Sequence, residues 1–229
     1  MVRTVIALLR HGDYHQQADT PSALQPWPLT ETGRAQARAA APQLMDFCAE
    51  HQLTLAHQID CSSLLRAWQT AQILADELTR LTGTAVTTAS FDALWERNVG
   101  SAANLTTTQI QQAVASDPRC PPLPDNWKSD SHFRLPLPGA ESLMDAGHRV
   151  ASHIEGAMTN TGSDPQLKVF VGHGAAIRHA ASVMGALAES DIPTLSMYHA
   201  QPVFLERIDD HWHHIGGNWK IRHREAHAD

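Results

Sequence analysis

Three segments, far apart in the sequence, place histidine or arginine at or soon after the end of a predicted strand. Arg10 and His11 follow apolar residues 5–9, Arg66 comes shortly after residues 58–61, and His173 follows residues 169–171. A neutral imidazole can act as a nucleophile near neutral pH, because its reference pKa is about 6.5. A guanidinium matches phosphoryl oxygens in charge and geometry. The segments therefore predict one anion site, with His11 as the nucleophile that attacks a phosphoryl group.

The other residues of these segments can supply the rest of the chemistry of phosphoryl transfer. Arg10 and Arg66 would neutralise the phosphoryl oxygens, since a unit charge pair at about 4 Å contributes roughly 4 kcal/mol at an effective dielectric constant near 20. We expect His173 to be a cationic partner, and Gly174 to let the backbone and a helix N-terminus approach the anion. With these cations in place, we predict no metal ion and no cofactor.

A proton donor for the leaving oxygen is also required. Glu96 is the best candidate, because it lies just beyond the third predicted strand. Trp95 precedes it, and a neighbouring indole would favour the protonated form of a carboxyl group.

Alternating strands and helices must position these residues. The apolar and Gly/Pro patterns predict the following elements. They are strands at 5–9, 58–61, 85–89 and 168–171, helices at 30–50, 64–81, 141–158 and 175–187, and a hairpin of strands 203–208 and 212–215. Between residues 91 and 139, sustained periodicity occurs only around 106–115. Thr30 is the expected N-cap of the first helix, and Gly83 is expected to end the second. Turns are expected at 162–165 and 209–210.

This alternation is typical of an α/β, three-layer sandwich with a mostly parallel central sheet and helices on both faces. We expect one domain over residues 1–229, with an inserted cap at about 91–139 over the carboxyl ends of the strands. Functional crevices of open α/β sheets lie at those ends, which is where His11, Arg66 and His173 fall. Residues 13–28, interrupted by prolines, should form a loop beside His11.

Composition limits the partners. The chain of 229 residues carries 17 Lys and Arg against 24 Asp and Glu, a net charge of −7 without a basic run, so nucleic acid and membrane are not expected partners. We predict neither a signal peptide nor a membrane span, and the three cysteines favour a reducing, cytoplasmic location. His223 and His227 have helical spacing but no accompanying metal motif, so we predict no metal site there.

The motifs resemble those of the histidine phosphatase superfamily, which includes cofactor-dependent phosphoglycerate mutases. Its Arg-His-Gly matches residues 10–12, its Ser-x-x-x-Arg-Ala-x-x-Thr-Ala matches residues 62–71, and its Gly-His-Gly matches residues 172–174. Residues 29–37 and 138–143 are similar to two further family segments. The resemblance implies that His11 is phosphorylated, that Arg10, Arg66 and His173 form the phosphate pocket, and that Glu96 is the proton donor.

Two departures from the mutase pattern affect the expected activity. Residues 13–17 replace the Glu and the Trp-Asn pair of the mutases, and Val99 stands where they have Tyr. We therefore expect a metal-independent phosphomonoesterase acting on a phosphorylated small molecule or a phosphoprotein. The alternatives are a phosphoglycerate mutase and a non-catalytic protein that binds a phosphorylated ligand. A homodimer is compatible with the sequence, which does not identify the substrate.

Overall fold

The structure is a computed structural model that describes residues 3–159, 165–209 and 211–222. The expected turn at 162–165 and its counterpart at 209–210 therefore lie partly outside the described residues, and His223 and His227 lie wholly outside them. The strands are β1 (Thr4–Arg10), β2 (Thr54–Ser62), β3 (Thr87–Phe91), β4 (Gln166–Gly172), β5 (Leu195–Met197), β6 (Pro202–Ile208), β7 (His211–Gly216) and β8 (Trp219–Ile221). The helices are α1 (Glu31–His51), α2 (Leu65–Thr82), α3 (Thr107–Ser116), α4 (Leu143–Met158) and α5 (Gly174–Val183).

A mixed, mostly parallel sheet of six strands forms the centre, in the order β3-β2-β4-β1-β6-β7. The first four strands in this order run parallel, and β6 pairs antiparallel with β1 and with β7. Because successive side chains of β1 point to opposite faces, Val5, Ala7 and Leu9 pack with α1 and α2, while Ile6 and Leu8 pack with α4 and α5. The predicted α/β three-layer arrangement is confirmed.

Capping side chains set the helix boundaries. The hydroxyl of Thr30 accepts a hydrogen bond from Gly33 N, and Gly83 ends α2 in the left-handed conformation, both as predicted. Helix α4 begins two residues later than expected, because Ser142 acts as its N-cap in a capping box. Helix α3 forms where the sequence showed only a periodic stretch, and Thr106 caps it in the same way. Helix α5 ends at Val183 instead of 187, since Gly185 has a φ of +81° and turns the chain away.

The segment between β3 and α4 has a small core of its own. Trp127, Ile110 and Val99 are fully buried in it together with Ala23 from the 13–28 loop. This segment contains α3 and two short 3₁₀ turns, at Asp92–Leu94 and Gly100–Ala102. Its assignment as a cap over the site remains a prediction, although its packing against the loop that follows β1 agrees with that position.

The tail of the chain, after residue 190, contains two strands that the sequence did not indicate. Strands β5 and β8 form a separate antiparallel pair beside the main sheet. The predicted hairpin is present as β6 and β7. None of the helices in the described ranges combines the length and the apolar character that a bilayer span requires.

Candidate active site

The two histidines and Arg66 lie beyond the carboxyl ends of three adjacent strands, with Arg66 in the first turn of α2. In the sheet, β4 lies between β2 and β1, and Arg10 pairs with Gly172 in register. The backbone N–H of His11 donates to the carbonyl of Gly172 over 2.9 Å. The residue that follows each of these two strands is a histidine. His11 and His173 are therefore neighbours, and their ring centroids are 5.1 Å apart.

Arg66 links the two imidazoles. Its Nε donates to His11 Nε2 over 3.2 Å, and its Nη2 donates to His173 Nδ1 over 3.1 Å. Because a guanidinium has no acceptor, these contacts fix both tautomers. The proton of His11 is on Nδ1, which donates to the carbonyl of Gly12 over 2.7 Å, and the proton of His173 is on Nε2, which donates to Ser62 Oγ over 2.9 Å. His11 Nε2 therefore carries the lone pair that a nucleophile needs.

Burial and positive charge keep both rings neutral. His11, Arg66 and His173 are at most 1% exposed. Burial lowers the pKa of His11 well below its ordinary value, and the guanidiniums of Arg66 and Arg10 lower it further. The pKa of His173 is lowered well below its ordinary value by burial and then by Arg66. His173 is thus neutral here, whereas the sequence argument expected a cation, because that argument did not count burial beside two arginines.

Arg10 lies on the side of the pocket that faces the tail. Its Nη1 donates to the carbonyl of Met197, in β5, over 3.2 Å. A Cβ atom on Gly174 would approach Arg10 Cδ to 3.1 Å, so the glycine leaves room for this side chain. Burial lowers the pKa of Arg10, while the charge of Glu96 opposes that shift.

A glycine pair lets α1 approach the end of β1. A Cβ atom on Gly12 would lie 2.4 Å from the carbonyl oxygen of Gly33, and one on Gly33 would lie 1.9 Å from that of Asp13. Neither position therefore accepts a larger residue without backbone movement. The close approach fixes the Gly12 carbonyl that holds His11 Nδ1.

The Glu96 carboxylate lies at the N-terminus of α5, the helix that begins immediately after His173. Its Oε1 accepts from the N–H of Ala176 over 2.9 Å and from its neighbour Arg97 over 3.0 Å, and its Oε2 accepts from Ala175 N over 3.3 Å. The helix N-terminus that we expected to face a bound anion is thus occupied by this carboxylate. The indole of Trp95 donates to Ser63 Oγ instead, over 2.6 Å. Trp95 therefore does not provide the apolar surroundings expected for Glu96, whose oxygens are contacted by backbone N–H groups.

Arg149 and Glu141 hold the segment that carries Glu96. Arg149 donates to the carbonyls of Ala93 and Trp95 and makes an ion pair with Glu141 at 2.7 Å. Glu141 also accepts from the N–H of Asn98 over 3.0 Å. The similarity of residues 138–143 to a family segment therefore corresponds to a support for Glu96.

Several residues of the site were not assigned from the sequence. Tyr14 contacts the His11 ring edge-on at 5.1 Å and lies under the Arg66 guanidinium at 4.8 Å. Thr70 accepts from Gly12 N over 3.0 Å, and the ring of His199 lies 5.8 Å from that of His11. Ser62 and Thr70 belong to the matched motif and could have been found from it, whereas Tyr14 and His199 lie in segments without a readable pattern.

A comparison with known proteins identifies the family. A sequence profile of the histidine phosphatase superfamily, branch 1, matches residues 6–220. The chain belongs to this superfamily. Among curated protein sequences, no significant match is found.

Solved structures of histidine phosphatase fold resemble this chain over nearly its whole length. A complex of mycobacterial glucosyl-3-phosphoglycerate phosphatase with VO3 is 26% identical, with a TM-score of 0.63, and the match covers 96% of this chain and 98% of that one. A protein described as mycobacterial hydrolase 1 is 24% identical, with a TM-score of 0.65 and coverages of 99% and 100%. Phosphoglycerate mutase from Bacillus anthracis is 15% identical, with a TM-score of 0.70 and coverages of 94% and 93%.

Proposed function

We propose that this histidine phosphatase superfamily member is a metal-independent phosphomonoester hydrolase that works through a phosphohistidine on His11. The observation that carries the proposal is the state of His11, which is buried and neutral, with its Nε2 lone pair directed at Arg66. A buried neutral imidazole surrounded by cationic side chains is suited to attack a centre that brings its own negative charge.

In the first step, a phosphoryl oxygen replaces His11 Nε2 as the acceptor of the hydrogen bond from Arg66 Nε. The lone pair of His11 Nε2 is then free. The new bond joins His11 Nε2 to phosphorus while the bond from phosphorus to the ester oxygen breaks. Arg10 and Arg66 neutralise the phosphoryl oxygens. His173 keeps its Nε2–H on Ser62, and its Nδ1 can take a proton from a protonated phosphoryl oxygen and then donate a hydrogen bond back to it. Glu96 gives its proton to the departing oxygen.

In the second step, water attacks the phosphohistidine. The bond from nitrogen to phosphorus breaks, inorganic phosphate leaves, and Glu96 takes the proton of the water and is ready for another cycle. A mutase would instead retain the phosphoryl group until a second substrate alcohol arrived. The departures of residues 13–17 and Val99 from the mutase pattern favour hydrolysis.

The substrate class follows from the segments around the pocket. The 13–28 loop supplies three carbonyls to Arg66 and packs against residues 91–139, so we expect these two segments to recognise the group to which the phosphate is attached. We propose a phosphorylated small molecule or a phosphoprotein as substrate. Glycosides of 3-phosphoglycerate should be tested first, since one similar structure is a glucosyl-3-phosphoglycerate phosphatase.

The test is phosphoenzyme formation. Brief incubation with a ³²P-labelled phosphomonoester in the presence of EDTA should label the wild-type protein in an acid-labile, base-stable form, followed by release of inorganic phosphate. His11→Ala should abolish both the label and turnover, whereas His148→Ala, on α4, should retain them. Phosphate binding without labelling or turnover would instead indicate a non-catalytic protein, and a persistent label that is released only by a second alcohol would indicate a mutase.

A further inference from the structure

Arg66 is held in the pocket by neutral groups. Besides the two imidazoles, its guanidinium donates to the carbonyl of Gln25 over 2.9 Å, to that of Ser22 over 3.1 Å and to that of Ala23 over 2.9 Å. Within residues 3–159, 165–209 and 211–222, no carboxylate forms an ion pair with it. Carbonyl oxygens fix a guanidinium in place without cancelling its charge, so the full positive charge stays available to an anionic ligand.

The carbonyls that hold Arg66 belong to a loop segment closed by one side chain. The amide of Gln25 is completely buried. Its Oε1 accepts from the N–H of Gln17 over 2.9 Å, and its Nε2 donates to the carbonyls of Thr20 and Pro21, both over 3.1 Å. One side chain thus joins the beginning, middle and end of residues 17–25. This segment has no helix or strand to give it a shape of its own.

We propose that Gln25 is a positioning residue of the phosphate pocket: its buried amide shapes residues 17–25 so that three carbonyls hold the Arg66 guanidinium over the two imidazoles. The proposal deepens the proposed function, and its kinetic part rests on that function. If Gln25 only filled space in the loop, its loss would affect folding or substrate access equally whether or not Arg66 were present.

Other contacts keep the segment attached when the amide is removed. The carbonyl of Asp19 accepts from the N–H of Thr107, in α3, over 2.7 Å, and Ala23 is buried in the small core around Trp127. Removal of the Gln25 amide should therefore change the shape of the segment without releasing it. These contacts also connect the loop residues that hold Arg66 to the segment between β3 and α4. A substrate group bound by that segment would therefore lie close to the residues that hold Arg66.

The experiment compares Gln25→Leu with Gln69→Leu. Both amides accept a hydrogen bond from a backbone N–H group, but Gln69 accepts from Leu29, which follows the 13–28 loop and lies outside the segment that supports Arg66. We expect Gln25→Leu to lower kcat/KM for a nitrophenyl phosphate by about tenfold and to weaken inhibition by vanadate to a similar extent. Gln69→Leu should stay close to wild type in both. If Gln25→Leu does not fold, Gln25→Asn keeps the amide but shortens its reach, and it should show a smaller loss in the same direction.

Two readouts separate a positioning role from a purely structural one. In an Arg66→Met background, Gln25→Leu should cause almost no further loss, because its effect passes through the missing guanidinium. In the wild-type background, NMR titration of the histidine Cε1–H signals should show the pKa of His11 moving upward, since burial and then Arg66 hold it down. The acid limb of the kcat/KM profile should move to higher pH in the same variant.

The outcomes are distinguishable. If the wild type is inactive on phosphomonoesters, the proposed function fails, while the His11 titration still tests the role of Gln25. If the wild type is active, the role of Gln25 is overturned by equal losses in Gln25→Leu and Gln69→Leu, by additive losses in the Arg66→Met background, or by an unchanged pKa of His11.

Discussion

One buried polar cluster lies on strands β2 and β4 and another lies beyond their carboxyl ends, and the two differ in how their charges are balanced. In the first cluster, Asp60 is 3% exposed and contacts Lys168 Nζ at 2.6 Å, His153 Nε2 at 3.1 Å and Gln58 Nε2 at 2.9 Å. In the second, beyond the ends of these strands, Arg66 on α2 is also buried, but its acceptors are imidazoles and carbonyls.

The difference separates a structural cluster from a binding site. Asp60 neutralises the charge of Lys168 within the fold. Burial raises the pKa of Asp60, but the hydrogen bonds from His153, Lys168 and Gln58 together lower it by more, so the net shift is downward. Arg66 keeps an unneutralised charge in a buried place, which costs folding energy and favours an anion from outside. A buried cluster whose charges cancel needs no ligand, whereas one whose charges do not cancel is suited to bind one.

The sharpest way to break this comparison is Arg66→Met. We expect kcat/KM to fall by roughly 10³-fold, because a preorganised donor to the developing charge is lost. The free energy of unfolding should change by less than about 2 kcal/mol, since relief of charge burial offsets the lost hydrogen bonds. Steady-state kinetics and urea denaturation measure the two quantities.

Arg80→Met is the control, because Arg80 lies on the same helix but pairs with Glu77 at the surface. It should alter neither quantity appreciably. A large loss of stability with retained activity in Arg66→Met would place Arg66 in the structural class.

The opposite pattern is expected for Asp60→Asn. This change leaves Lys168 with a buried charge and no carboxylate, and it should lower the free energy of unfolding by roughly 3 kcal/mol. Activity at 25 °C should be close to wild type, since Asp60 contacts neither His11 nor His173. Urea denaturation monitors the loss, with Asp46→Asn, at the surface of α1, as a matched control; an active-site defect without destabilisation would contradict the distinction.

The site could be predicted from the sequence where strands determine it. The apolar runs before His11 and His173 mark strand ends, and adjacent strands in a parallel sheet bring those ends together. The prediction that the two histidines and Arg66 share one pocket agrees with the structure, and so does the predicted cap of α1 at Thr30.

What the sequence did not indicate depends on side chains acting on irregular backbone. Gln25 lies among prolines, and only the folded loop brings its amide to three separate backbone groups. The neutral state of His173 follows from burial beside Arg66, which a linear pattern does not measure. Strands β5 and β8 are three residues each, too short to produce a periodic signal.

Glu96 shares features with both clusters, and its substitution has the smallest expected effect of the three. Like Asp60 it is a buried carboxylate, but its oxygens are held by backbone N–H groups, and its charge reaches Arg10 and Arg66 without forming an ion pair with either. Its position at the N-terminus of the helix that follows His173, without a cation paired to it, makes Glu96 our candidate for the proton donor. Glu96→Gln should therefore lower kcat about 100-fold for alkyl phosphates, whose leaving oxygen needs a proton, and only slightly for nitrophenyl phosphate. Kinetics on both esters, with Glu77→Gln as the control, decide the matter: equal losses on the two esters would mean that Glu96, like Asp60, only supports the fold.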